Sequence, residues 1–201
     1  MRVPSAKVAK FVAAAATPVA ILAASALVWQ SSYAAFSGTT RNSGNDWATG
    51  SVSLTDDDAG SARFQVGTMT PGQIDTKCIK VTANVSVPGV VKAYVLNPVT
   101  SPQGLENYVK ITVRGGAGGD FAGCTGFVPD STIVPGASLA QLTAYNSYGT
   151  GVGGWAVAAG TQSRTYEITW TFDTAGLTQA QIDQLQGAHT GLDLQWELQS
   201  T

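Results

Sequence analysis

The sequence predicts an all-β fold, an antiparallel β-sandwich of jelly-roll type with one or two short helices in its connections. Three observations carry that expectation. Apolar and polar residues alternate with period two in several stretches, Gly and Pro punctuate the chain at short intervals, and one segment has the signals of a short helix. The clearest alternation is Tyr166–Phe172, where Tyr166, Ile168, Trp170 and Phe172 share one face and Glu167, Thr169 and Thr171 the other. Leu192, Leu194, Trp196 and Leu198 repeat it, with Asp193, Gln195 and Glu197 opposite. Strands wetted on one side read this way, so these two apolar rows are the expected core of an antiparallel sheet.

Weaker strand readings are Gly50–Leu54, Ala62–Val66, Lys77–Val87, Val90–Leu96, Tyr108–Arg114 and Trp155–Ala158. Turn residues separate them at Asp58-Ala59-Gly60, Pro71-Gly72, Pro88-Gly89, Asn97-Pro98, Gly115-Gly116 and Pro135-Gly136. The helix begins at a Thr178 cap with Gln181 three residues later, places Leu177, Ile182 and Leu185 on one side, and stops at Gly187. A second helical turn is expected at Ser138–Ala144.

Composition narrows the function classes. The chain has 201 residues, of which 12% are charged, with a formal net charge of −2. The charged fraction is about half the usual ~25%, which excludes a solvated disordered chain. The balance also excludes a basic nucleic-acid binder. One His and two Cys supply too few ligands for an ordinary zinc site.

The first 34 residues read as a secretory leader: basic Arg2, Lys7 and Lys10, then an apolar run from Phe11 to Trp29, then small residues at Ser32 and Ala34. Cleavage is expected between Ala34 and Ala35. An uncleaved anchor is the alternative, since the run is just long enough to span a bilayer, but Pro18 and the alanine-rich composition weigh against it. The leader removes three cations and no acid, so the released chain is the more acidic, and its contact with membrane ends with the leader. The expected organisation is therefore 1–34 leader, 35–46 polar linker and 47–201 sandwich, secreted to the cell surface or extracellular matrix. Cys78 and Cys124 then enter an oxidising compartment, where a disulfide is the leading reading. No CxxC spacing suggests redox work.

Three blocks, taken together, resemble the TasA/camelysin family of exported biofilm-fibre subunits, whose leaders are cut by a dedicated signal peptidase. They are Tyr33-Ala34-Ala35-Phe36-Ser37 at the cleavage site; Trp47-Ala48-Thr49-Gly50-Ser51-Val52-Ser53-Leu54 with the later Met69-Thr70-Pro71-Gly72-Gln73 turn; and the closing Leu192–Gln199 segment. The resemblance covers both ends of the processed chain and leaves roughly Asn97–Thr161 unmatched. It implies a jelly-roll subunit that assembles head to tail, the segment behind the cleavage site completing a sheet in its neighbour. The implied partners are identical subunits in a filament, or a related surface protein, besides the signal peptidase. The residues agree with this. Ala35, Phe36, Ser37, Gly38, Thr39 and Thr40 open a polar, proline-free stretch to Asp46 whose one large apolar residue is Phe36. Such a stretch cannot bury enough to fold alone, but it can pair by main-chain bonds along an open edge. A plain flexible N-terminus is the simpler alternative.

Other functions are weaker on the same residues. Camelysin relatives carry a metallopeptidase label, yet this chain has no HExxH and only His189, in a Gly-flanked loop. No Gly-x-Ser-x-Gly elbow occurs, so no catalytic residue and no cofactor are expected. The glycine clusters at 115–119 and 149–154 lack the Lys-Ser/Thr ending of a phosphate loop. Asp56, Asp57 and Asp58 are a weak calcium candidate, since strand alternation points neighbours apart. A carbohydrate-binding module is the serious alternative, with Trp155, Tyr145 and Tyr148 as its aromatic platform.

Overall fold

The structure, a computed structural model, describes residues 51–201. The leader, the Ala34–Ala35 cleavage site and the Ala35–Asp46 segment lie outside the described residues. Eight strands form in chain order: β1 (Val52–Asp56), β2 (Ile74–Val85), β3 (Gly89–Val99), β4 (Val109–Ala117), β5 (Val128–Ser138), β6 (Val152–Val157), β7 (Gly160–Phe172) and β8 (Gly191–Ser200). Two short helices, α1 (Leu139–Leu142) and α2 (Gln179–Gln184), sit in the connections, with a 3-10 turn at Leu105–Asn107.

Every strand pairing is antiparallel. One sheet has the order β1-β2-β7-β4-β5 and the other β6-β3-β8. The fold is therefore an all-β sandwich, as its alternation requires; the Greek-key winding of a jelly roll is a narrower property that these pairings do not themselves establish. The sheets face each other with β8 near β1 and β6 near β5. Each sheet thus ends in two edge strands, and the two pairs of edges flank the sandwich.

Alternation places the core where the sequence puts it. In β7 the inward row of Tyr166, Ile168, Trp170 and Phe172 is at most 5% exposed, packed on Ile79, Val81, Ile111 and Val134. The β8 row of Leu192, Leu194, Trp196 and Leu198 also faces inward but is only partly buried. That contrast follows from position: β7 has a strand on both sides, whereas β8 has only β3.

Both helices begin with complete capping boxes. Thr178 and Gln181 satisfy each other's main chain at α2, and Ser138 and Gln141 do so at α1. Gly187, at a φ of 72°, follows the last turn of α2.

Two strand readings need correction. Ala62–Val66 is not a strand but part of the irregular 57–73 connection, where Arg63 and Phe64 turn inward while Ala62, Gln65 and Val66 stay exposed. A five-residue alternation without a partner strand could not hold extended pairing. Conversely, β5 shows no strand pattern in the sequence, because Pro129, Pro135 and Gly136 interrupt it. Three register irregularities against β4 accommodate them at a sheet edge, where proline is tolerated. Asn97-Pro98 and Pro135-Gly136, expected as turns, lie instead within β3 and β5 beside such irregularities. Gly115 and Gly116 likewise close β4; a Cβ on Gly116 would lie 2.2 Å from the Val128 carbonyl oxygen, so close strand approach explains the glycine.

Tyr166 gives the core a pH signature. Its hydroxyl is buried without a hydrogen-bond partner, and its ring lies 5.4 Å from that of Trp196. Burial pushes its pKa up from 10.0 to about 12, with the Arg164 charge and the Trp196 indole offsetting part of the rise. A folded pKa raised above the unfolded one gives stability that is complete below pH 10 and lost as pH climbs toward 12. Two units correspond to at most about 3 kcal/mol. Tyr166→Phe is expected to remove this alkaline loss and to leave neutral stability unchanged or raised, as urea unfolding of both chains across that interval would reveal.

Candidate functional site

The open side between β1 and β8 forms a cleft of about 400 Å³. It is lined by apolar Leu54, Val81, Leu96, Leu194 and Trp196 and by polar Thr55, Asp56, Asn97, Asp193 and Gln195. Alternation builds both parts: Leu54, Leu194 and Trp196 are the inward residues of the two edge strands, whereas Asp193 and Gln195 are outward on β8. Asn97 donates to Asp193 at 2.8 Å. Burial and then the adjoining Asp58 carboxyl raise the Asp56 pKa. The cleft thus mixes apolar side chains with carboxylates, Asp56 lying opposite buried Val81, and is bounded by two edges that have no strand on their outer sides among the described residues.

The four sheet edges are not equivalent. β5 is irregular and carries two prolines, β1 has five residues, and β6 has six, two of them Gly153 and Gly154. β8 has ten residues and contains no proline and no cation. Proline, bulges, positive charge and shortness are the usual means of blocking edge-to-edge pairing. β8 lacks all four.

The expected disulfide is present. Cys78 and Cys124 are bridged, with Cα atoms 5.2 Å apart, and there is no free cysteine. Cys78 points outward from β2, and the bridge fastens the β4–β5 connection across the outer face of the larger sheet. Cys78, Glu167 and Arg114 are cross-strand neighbours on β2, β7 and β4. Arg114 Nε donates to Glu167 at 2.7 Å, and its Nη2 donates to the same oxygen. Cys78, Cys124 and Glu167 cluster closely enough for a metal, but both sulfurs are bonded to each other and Glu167 is held by Arg114. The geometry is that of a fastening.

Asp57 parts from the other two aspartates, whose carboxyls adjoin. Asp57 accepts from the Lys80 and Phe121 main-chain N–H groups, both at 2.8 Å, tying the outer connection to β2. Asp58 accepts from Gly60 N–H at 2.6 Å within its own turn, and Asp56 lines the cleft. Sequence reading placed these acids in a turn but could not see Asp57 reaching across to Phe121, because that contact spans 64 residues.

His189 is exposed in the connection before β8, and none of the described clusters of potential metal ligands includes it. Trp155 and Tyr145 pack against the core, and Tyr148 donates to the Val90 carbonyl at 2.9 Å with Lys92 over its ring. All three aromatics are partly buried, and Tyr148 lies against the smaller sheet. Among the described residues no helix is long and apolar enough to cross a membrane. Neither a scan of protein-family models nor a search of curated proteins found a match for this chain.

Proposed function

We propose that the protein is an exported structural subunit of extracellular or cell-surface fibres, joined head to tail when the segment behind the leader of one copy extends a sheet of the next. The observation that carries the reading is the partly exposed apolar row of β8 beneath a ten-residue edge with nothing paired outside it among the described residues. An added strand would bond to the edge main chain and cover that row at once. Such addition is heterologous and need not close, so it continues as a filament. The resemblance of the leader junction, the Trp47–Leu54 opening and the closing strand to the TasA/camelysin family supports the same assignment, including its jelly-roll winding. The Cys78–Cys124 staple suits a small domain that must persist outside the cell.

Catalysis is not part of the reading, which rests on a sequence with a single His and neither an HExxH nor a Gly-x-Ser-x-Gly motif. Export of the full-length precursor, followed by sedimentation and electron microscopy of the processed product, tests the assignment. Filaments that pellet are expected. A monomer retained on insoluble polysaccharide would favour the carbohydrate-binding alternative instead.

A further inference from the structure

We infer that reduction of the Cys78–Cys124 bridge uncovers a site for a thiophilic divalent cation of the zinc class, held by the two thiolates and the Glu167 carboxylate. The inference goes beyond the fibre-subunit reading and does not depend on it. The ligand atoms of Cys78, Cys124 and Glu167 lie within 4.8 Å of one another, and among the described residues no other three potential metal ligands come together. Metal–sulfur bonds of about 2.3 Å at tetrahedral angles place two thiolates about 3.7 Å apart. The cluster is therefore already at the scale of a coordination shell, and the S–S bond is what keeps the sulfurs from serving as ligands.

The fold sets two of the three ligands. Cys78 is fully buried on β2, and Glu167, 9% exposed, is its cross-strand neighbour on β7. Cys124 lies in the β4–β5 connection outside any strand, so turning its side chain opens the sulfurs to metal spacing. It is only half-buried, and water can complete the fourth position. Both Arg114 bonds go to Oε1 of Glu167, and none of the described hydrogen bonds takes Oε2. One carboxylate oxygen can thus ligate while a guanidinium holds the other, as the outer partners of metal-bound carboxylates do.

Charge and softness select the cation. Arg114 and Glu167 cancel each other. Exchanging two thiol protons for one dication leaves the net charge of these four side chains at zero, so no uncompensated charge is buried. Two sulfurs favour zinc or cadmium over calcium and magnesium, which take oxygen shells. The redox step balances. A dithiol reductant gives two electrons and two protons to the bridge and is itself oxidised to a disulfide, leaving two protein thiols. The cation then displaces both thiol protons. Bound metal replaces the S–S bond as the fastener of the β4–β5 connection, so the domain keeps its staple in reducing surroundings.

Cobalt(II) is the probe, because thiolate ligation gives it a charge-transfer absorption and tetrahedral ligation gives it strong visible bands. The processed chain is reduced with a dithiol, freed of reductant without oxygen, titrated with Co2+ and then challenged with Zn2+. One equivalent of Co2+ is expected to saturate both signals, and zinc to abolish them by displacement. The bridged chain is expected to show neither. Glu167→Gln, first shown by circular dichroism to fold in its bridged form, is expected to bind zinc at least about tenfold more weakly once reduced. If reduction unfolds the parent chain, one equivalent of zinc is expected to restore the circular dichroism of the bridged protein. The site is overturned by a reduced parent without the thiolate band, by an unfolded reduced chain that zinc does not refold, or by undiminished affinity in Glu167→Gln. None of these results bears on filament formation, so the fibre reading stands or falls separately.

Discussion

Removing the bridge with Cys78→Ala and Cys124→Ala together is expected to lower the unfolding free energy by about 4 kcal/mol. The bridged residues are 46 apart in sequence, and constraining the unfolded chain over such a loop gives that figure before strain is considered. Most small domains have about 5–15 kcal/mol in total, so the variant loses a large fraction. The order of events should also change. The outer connection would remain fastened by Asp57 to Phe121, by Arg63 stacked 4.2 Å from the Phe121 ring centre, and by Thr165 to the Gly119 carbonyl. Those contacts are exposed or individually modest. Limited proteolysis is therefore expected to nick 118–127 before the sandwich unfolds, and urea titration of both chains measures the total. A midpoint unchanged from the bridged protein would show that constraining the unfolded chain contributes nothing net to stability.

Trp170→Ala is the second large effect. Trp170 is 3% exposed near the C-terminal end of β7, with Asp75 and Ile111 as its cross-strand neighbours. Deleting its ring opens a cavity between the sheets, for which about 3–5 kcal/mol is expected. Trp170→Phe should cost much less, because the aromatic volume is largely kept and a buried indole N–H without a partner disappears. Thermal or urea unfolding of the pair separates the two terms. Equal losses would place Trp170 outside the well-packed region.

The legible part of this molecule is its period-two alternation. The rows of β7 and β8 are visible because each inward residue is large and each outward one polar, and both helices announce themselves by complete capping boxes. The cysteine pairing follows from count alone, there being only two. What stayed hidden depends on partners distant in sequence. β5 carries prolines that only an edge position tolerates, and no single-strand pattern says which strand is an edge. The roles of Asp57, Glu167 and Tyr148 come from contacts across 64, 53 and 58 residues. The cleft is hidden for the same reason: β8 reads as ordinary core, and only strand order reveals that its outer side has no neighbour among the described residues. Sequence could have hinted at it through the lack of proline and cations in Gly191–Ser200.

The most direct measurement compares the exported, processed chain with one shortened to begin at Trp47, by sedimentation velocity and electron microscopy under the same conditions. Filaments from the first, and a monomer with an unchanged melting temperature from the second, are the predicted pair. Filaments from the shortened chain would contradict the account, because subunits would then be held together by something other than the Ala35–Asp46 strand.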